Sequence, residues 1–159
     1  MAHDSFAPHN HSHCIDTALA AVTNQCAARG LRLTPVRRRV LEILLQEHRA
    51  MGAYDILAVL KREGLGSQPP IVYRALDFLV SERFAHRIER MNAFVACSAP
   101  DENHMPTFLI CRSCDGVSEA HKTVEDNAFT QPAADQGFLV ERVIVEVEGL
   151  CPACQKLPS

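Results

Sequence analysis

Four cysteines occur as two C-x-x-C pairs in the C-terminal third of the sequence. Cys111 and Cys114 form the first pair, Cys151 and Cys154 form the second, and 36 residues lie between them. One C-x-x-C turn presents two thiolates to a metal ion, and two turns complete the tetrahedral set that structural zinc sites use. The spacing therefore predicts a structural zinc site, assembled by secondary structure that folds back between the pairs. Redox-active dithiols and unrelated packed cysteines are the alternatives.

The overall composition is that of a globular protein. The chain has 159 residues, of which 47% are hydrophobic and 22% are charged. No apolar run approaches the roughly 18 residues that a membrane helix needs, and the N-terminus lacks the layout of a signal peptide. We therefore expect a cytoplasmic protein without a membrane partner, whose seven cysteines stay reduced. The absence of tryptophan and the presence of only two tyrosines argue against a small-molecule substrate in an aromatic-lined pocket.

Charge is distributed unevenly between the two parts of the chain. Residues 1–97 hold 12 Lys/Arg and 9 Asp/Glu, a balance of +3, whereas residues 98–159 hold 4 and 10, a balance of −6. Six arginines and only two acids lie between Arg29 and Arg49. Such asymmetry favours a polyanion-binding N-terminal part, with solvated helix faces as the alternative explanation.

The first 62 residues predict a tail and three helices. Residues 1–14 contain four histidines and Cys14 without apolar periodicity, which predicts a mobile tail. A first helix is expected over 15–29, closed by Gly30. Thr34 and Pro35 are typical N-cap and N1 residues of a second helix, and a shorter third helix is expected over 53–62. The second helix would bury one stripe: Val36, Val40, Ile43 and Leu44.

A further amphipathic helix begins at residues 69–70, a pair of prolines. Its apolar residues fall on one face, whereas Tyr73, Arg74 and Asp77 fall on the opposite arc. Two segments of strand character follow, 84–89 and 92–97. Helices followed by a two-stranded hairpin are typical of a winged helix-turn-helix, in which the last helix enters the major groove of DNA. An unrelated small helical domain is the alternative.

The sequence predicts that the C-terminal part forms a second, smaller domain. Two prolines and polar residues predict a hinge linker over 98–106, followed by a domain over 107–159. We expect strands over 107–111 and 116–120, a helix over 122–129 and a strand over 138–148, where Val143, Val145 and Val147 alternate. The stability that so small a domain gains from core burial alone is marginal. We therefore expect additional stabilisation by a bound zinc ion and by oligomerisation. The predicted fold class is α+β, with a winged helix-turn-helix domain over 15–97.

Three motifs together resemble the ferric uptake regulator (Fur) family: R-L-T-P-x-R over 32–37, P-P-I-V-Y-R-A-L-D-F-L over 69–79, and the two C-x-x-C pairs. The F-A-H-R-I-E segment over 84–89 and G-L-C-P-A-C over 149–154 are most similar to its zinc uptake regulator branch. The resemblance covers roughly residues 15–155. It implies a homodimeric, metal-dependent transcriptional repressor with an N-terminal winged helix and a C-terminal α/β dimerisation domain.

The resemblance also implies site residues. The four paired cysteines match the family's structural zinc site. A second, regulatory zinc site of the zinc branch matches one residue of each wing strand, one of the linker and one of the dimerisation domain: His86, Cys97, His104 and Glu119. Two imidazoles, one thiolate and one carboxylate are a chemically sensible set for zinc, and the thiolate disfavours harder ions. Tyr73, Arg74 and Arg37 are the expected DNA-binding residues.

The sequence thus predicts a zinc-responsive repressor that binds double-stranded operator DNA as a homodimer, controls zinc uptake genes and holds two Zn²⁺ per protomer. It predicts no catalytic residues. Two other functions stay open: a family regulator that senses ferrous iron or peroxide, and a dithiol oxidoreductase that uses the C-x-x-C pairs.

Overall fold

The computed structural model describes residues 11–46, 49–100, 104–120 and 127–156. These form two compact units, one containing the described residues up to 100 and the other those from 104 onward. The division falls within the predicted linker 98–106. No helix in the described part of the chain is long and apolar enough to cross a membrane.

The described part of the N-terminal unit contains four helices. They are α1 (His11–Ala28), α2 (Pro35–Gln46), α3 (Ala53–Arg62) and α4 (Pro69–Ser81). Their apolar faces share one core, in which Val40, Ile56, Leu60, Val72 and Leu76 are fully buried. The predicted stripe of α2 is confirmed, with Val36 packed at its edge. The third helix has the predicted bounds.

The turn between α1 and α2 follows the predicted capping chemistry. Gly30 takes a positive φ of 66°, and the N–H of Leu31 donates to the carbonyl of Cys26 at 2.8 Å, closing α1 as a Schellman-type turn. The hydroxyl of Thr34 accepts the N–H of Arg37 at 3.3 Å, which caps α2.

The start of α1 differs from the prediction. The helix begins at His11, so residues 11–14 of the predicted tail are helical, and residues 1–10 lie outside the described residues. The polar sequence of this first turn carries no apolar stripe, which is why hydrophobic periodicity did not detect it.

Helix α4 presents the two predicted faces. Val72, Ala75, Leu76 and Leu79 are buried, whereas Tyr73, Arg74 and Asp77 are exposed. Pro69 stands at the first helical position, where its missing N–H leaves no hydrogen bond unmade. The predicted amphipathic helix is confirmed.

A two-stranded antiparallel hairpin follows α4. Strands β1 (Ala85–Ile88) and β2 (Ala93–Ala96) pair Ala85 with Ala96 and Ile88 with Ala93. The loop after α2 joins the hairpin through Met51 and Phe94, which exchange backbone hydrogen bonds of 2.9 and 2.8 Å. The hairpin is therefore attached to the helical core as the wing of a winged helix.

The C-terminal unit contains a three-stranded sheet of order β4-β3-β5. Strands β3 (Thr107–Cys111) and β4 (Val117–Ala120) are antiparallel, whereas β5 (Val145–Gly149) runs parallel to β3. A short 3₁₀ helix, Cys154–Lys156, follows the last cysteine pair. The α+β class and the first two predicted strands of this unit are confirmed.

Two C-terminal predictions were wrong in extent. The helix expected over 122–129 is α5 (Asn127–Ala134), which continues past Phe129 and through Pro132, while residues 121–126 lie outside the described part. The strand expected over 138–148 is confined to β5. Pairing starts where the N–H of Val145 donates to the carbonyl of Pro106 at 3.0 Å, because β3 begins only after this proline.

Candidate metal centres and nucleic-acid interface

The sheet of the C-terminal unit brings the two cysteine pairs together. Cys111 is the last residue of β3, and the parallel register sets it beside Gly149, the last residue of β5. A tight turn leads from Cys111 to Cys114, and Cys151 follows two residues after β5. The two C-x-x-C segments therefore meet at one end of adjacent parallel strands.

The four sulfur atoms have the spacing of a zinc site. All lie within 4.8 Å of one another, and Cys114 Sγ is 3.9 Å from Cys151 Sγ. A tetrahedron with zinc–sulfur bonds of about 2.3 Å has edges of about 3.8 Å. The four cysteines therefore fit a tetrahedral thiolate-bound zinc ion, which would hold the ends of β3 and β5 together.

Backbone N–H groups donate hydrogen bonds to two of the four sulfurs. The N–H of Cys151 donates to Cys111 Sγ at 3.3 Å, and that of Cys154 donates to Cys151 Sγ at 3.5 Å. The first of these bonds is the main reason that the pKa of Cys111 falls to about 6, although burial of the thiol acts in the opposite direction. Thiolate is the form that binds zinc, so the fold favours the ligand-competent state of Cys111.

The local backbone does not match a redox dithiol. Reactive C-x-x-C motifs place the attacking thiolate at a helix N-terminus. Here the residues after Cys111 form a turn, in which Asp115 takes a positive φ of 57° and its N–H donates to the carbonyl of Cys111 at 3.0 Å. The turn after Cys111 therefore differs from the backbone of a redox-active C-x-x-C motif.

The wing carries two of the four predicted regulatory ligands. His86 lies in β1 opposite Val95, and the N–H of Cys97 donates to the carbonyl of Phe84 at 2.9 Å. This register sets both ligand side chains on the same face of the hairpin, as diagonal neighbours. Both residues are buried, and their ligand atoms lie within 4.8 Å of each other.

The C-terminal unit carries the other two. Glu119 lies in β4 opposite Phe108, and His104 precedes β3. His104 Nε2 is 2.5 Å from Glu119 Oε1, and the two side chains are only 10% and 4% exposed. Each unit therefore presents a close, buried pair of metal-ligand types.

The exposed arc of α4 contains two of the three predicted DNA-binding residues. Tyr73 is 42% exposed, and Arg74 is exposed beside it. The third, Arg37, lies on α2, where its side chain is engaged within the unit. Its Nη1 donates to the carbonyl of Arg32 at 2.6 Å, and its guanidinium carbon is 3.8 Å from the ring centroid of Phe78. This contact could not be predicted from the sequence, because an arginine and an aromatic residue on two different helices have no characteristic spacing along the chain.

The arginine-rich segment of the sequence is partly neutralised by acids. Arg39 binds Glu63 through two hydrogen bonds of 2.7 Å, and Arg38 binds Glu42 at 3.0 Å. Arg29 pairs with Glu82 in the same way. The count of charges along the sequence therefore overstated the positive charge that this segment offers to a polyanion.

Comparison with known proteins identifies the family of this chain. The profile of the "Ferric uptake regulator family" matches residues 28–148. The chain belongs to the ferric uptake regulator family. The match includes α2, α3, α4, the wing, strands β3 and β4 and most of β5, so it covers most of what the structure describes.

Named relatives within the family are zinc regulators. The chain is 40% identical over 143 residues to the zinc uptake regulation protein of Escherichia coli (strain K12), covering 89% of this chain and 83% of that protein. The same values hold for the Shigella flexneri protein. A zinc uptake regulator complexed with zinc and DNA superposes with a TM-score of 0.84 at 36% identity, covering 89% of this chain and 95% of that chain. Holo XcZur gives 0.81 at 37% identity, covering 89% and 99%.

Proposed function

We propose that this protein is a zinc-responsive transcriptional repressor that binds operator DNA as a zinc-loaded homodimer and controls genes of zinc uptake. The observation that carries the proposal is the family membership together with the identity to zinc uptake regulators along nearly the whole chain. The exposed Tyr73–Arg74 face of α4 supports the DNA-binding part, since the last helix of a winged helix enters the major groove.

Two zinc ions per protomer have different roles in this proposal. The four-cysteine cluster holds a structural ion, supported by its sulfur spacing. His86 and Cys97 of the wing, with His104 and Glu119 of the C-terminal unit, hold the regulatory ion. The support is chemical: each buried pair offers two ligands, a tetrahedral ion requires four, and the combined set is one that zinc accepts. An ion bound by both pairs would fix the wing to the second unit.

The homodimer is supported by the outer edge of β5. In the described part of the chain β5 pairs only with β3, and an open edge is a template for another strand. Apolar side chains lie exposed in the same unit, among them Val147 at 45%, Phe138 at 67% and Leu139 at 80%. A second copy pairing β5 with β5 would extend the sheet.

Iron or peroxide sensing is the second candidate within the family. Its distinguishing feature is the metal, because a thiolate such as Cys97 disfavours the harder ferrous ion relative to zinc. We propose a cytoplasmic location, in keeping with the proposed contact with DNA. No observation on the described residues favours an enzymatic function.

The experiment is DNA affinity of the purified protein across buffered free zinc and, separately, free ferrous iron, with metal content measured in parallel. The probe is a duplex selected from a random-sequence pool by the zinc-loaded protein. We expect zinc to tighten binding by about 5- to 150-fold, the usual range of allosteric coupling, and iron to act only at far higher concentration. A response to iron at lower free concentration than zinc overturns the zinc assignment.

Ligand variants locate the sensing site. Cys97→Ser and His86→Ala should abolish the zinc dependence of DNA binding while leaving the four-cysteine zinc in place. Cys26→Ser is the matched control, because Cys26 is also a buried cysteine of the N-terminal unit but belongs to neither ligand set. Variants of His86 and Cys97 that respond to zinc as the parent does would move the sensor elsewhere in the chain.

A further inference from the structure

We propose that Arg37 is a positioning residue for operator recognition: through its contacts with Phe78 and with the carbonyl of Arg32 it fixes helix α4 against the start of α2. This inference rests on the proposed DNA-binding function and deepens it, because it assigns Arg37 a role other than direct contact with DNA. Three observations within the N-terminal unit carry it.

The first observation is how one side chain joins three segments. Arg37 lies in the first turn of α2, its N–H is held by the Thr34 hydroxyl, and its Nη1 binds the carbonyl of Arg32 in the preceding loop. Its guanidinium covers the ring of Phe78 on α4, 3.8 Å from the centroid. A planar guanidinium satisfies a carbonyl and an aromatic face together, whereas a lysine ammonium lacks the flat surface and the fixed fork of donors.

The second observation is the position of Phe78 on α4. It lies four residues after Arg74, so it is one helical turn away on nearly the same side of the helix. Its side chain is half-buried against the core. A change in how the Phe78 ring packs would therefore shift the helical turn that follows the exposed Tyr73–Arg74 face.

The third observation is the continuation of the stack into the wing. The rings of Phe78 and Phe84 are 6.3 Å apart at an interplanar angle of 59°, a favourable tilted arrangement. Phe84 is fully buried immediately before β1. The chain of contacts Arg37–Phe78–Phe84 thus links the start of α2, the C-terminal part of α4 and the base of the wing, which are the parts that DNA recognition must keep in register.

The test compares Arg37→Lys, Arg37→Met and the matched control Arg38→Met in zinc-loaded protein, on the selected duplex and on a random duplex over a range of salt concentrations. Arg38 lies on the same helix and pairs with Glu42. A positioning role predicts that both Arg37 variants weaken operator binding roughly five- to tenfold, whereas Arg38→Met does so little. It also predicts unchanged affinity for random DNA and an unchanged salt slope, because no phosphate contact is lost.

A direct phosphate contact would behave differently. Arg37→Lys would then bind nearly as the parent does, and Arg37→Met would lose affinity for both duplexes and reduce the salt slope by about one. That pattern overturns the positioning role. If the parent protein itself selects no duplex, the proposed function fails and this inference falls with it, whereas a parent that selects a duplex but whose Arg37 variants follow the phosphate pattern overturns this inference alone.

Variants of the ring separate positioning from simple destabilisation. Phe78→Tyr keeps the aromatic face and should retain operator affinity, whereas Phe78→Leu should lose as much as Arg37→Lys. In the Phe78→Leu background, Arg37→Lys should have little further effect, since the shared contact is already gone. Fully additive losses in variants whose thermal melting matches the parent would contradict the assignment.

Discussion

Cys111 is the residue on which the four-thiolate cluster depends most. It ends β3, accepts the N–H of Cys151 and is buried, so its sulfur is fixed by the sheet before a metal binds. Replacing it with serine leaves three thiolates around an ion that needs four ligands. We expect Cys111→Ser to lose its structural zinc and to shift toward monomer or aggregate, measured by metal content and sedimentation.

Cys14→Ser is the control for that substitution, because Cys14 is a cysteine of the other unit outside both ligand sets. A Cys111→Ser protein that stays folded and dimeric with the parent's zinc content would contradict a structural role for the cluster.

Arg74 is exposed on α4, beside Tyr73 and away from the buried face. Surface substitutions rarely cost more than about 0.5 kcal/mol of stability, so Arg74→Ala should fold and hold zinc normally. It should weaken operator binding by about 1–3 kcal/mol if Arg74 reads a guanine edge. Fluorescence anisotropy on operator and random duplexes checks this. Equal loss on both duplexes assigns Arg74 to phosphate, and no loss on either means that α4 does not carry recognition.

At the scale of elements, α2 and α3 are joined by one well-oriented ion pair. Arg39 of α2 binds both carboxylate oxygens of Glu63, the residue that ends α3. The hydrogen bond from Arg39 is the main cause of the lowered pKa of Glu63. A carboxyl whose pKa is lower in the folded than in the unfolded state stabilises the fold above its unfolded pKa. That contribution is lost as pH falls through the lowered folded pKa.

Glu63→Gln should therefore lower the melting temperature slightly at neutral pH, and the difference from the parent should disappear in acid below the pKa of Glu63. Thermal melting of both proteins across the acidic range measures this. Asp77→Asn, an exposed acid of α4, is a matched control whose difference should not follow the same pattern. A Glu63→Gln difference that is constant with pH would mean that the ion pair contributes nothing.

The elements of the winged helix were predictable from sequence because several local signals agree there. Thr34 and Pro35 mark a helix start, Gly30 marks a helix end, and the apolar stripe of α4 has a clear helical period. The extent of β5 was not predictable in this way. A strand can extend only as far as the strand with which it pairs. The partner of β5 is β3, which has five residues and begins directly after Pro106.

The candidate sites were predictable to different degrees. The paired spacing of the four cysteines alone indicated a zinc site, whereas His86, Cys97, His104 and Glu119 were indicated only by resemblance to the family. Their proximity within each unit depends on strand register and on the path of the chain before β3, which no local pattern encodes. The contact of Arg37 with Phe78 depends on helix packing and was missed for the same reason.

At the scale of the whole molecule, the proposed binding to operator DNA depends on the proposed dimer. Operators of winged-helix dimers contain two half-sites, so a single protomer makes only half of the contacts with DNA that the dimer makes. Val147 is the residue of β5 best suited to test this, because it is 45% exposed and lies on the same sheet face as Leu109, itself 40% exposed. If two β5 strands pair about their middle, a carboxylate at Val147 would face its own copy, and like charges directly opposite each other on paired strands are destabilising.

We therefore expect Val147→Glu to be monomeric at micromolar concentration by analytical ultracentrifugation, while Val147→Thr, which keeps the branched shape, remains dimeric. Leu65→Glu adds the same charge at an exposed apolar residue of the N-terminal unit and should leave the dimer intact. The Val147→Glu monomer should keep its four-cysteine zinc, because the cluster lies within one chain. It should nevertheless bind the selected duplex at least tenfold more weakly, since each base pair left unread costs about 1–3 kcal/mol. A dimeric Val147→Glu protein with the parent's DNA affinity would show that β5 is not the subunit interface, and the exposed Phe138–Leu139 segment would then be the next surface to test.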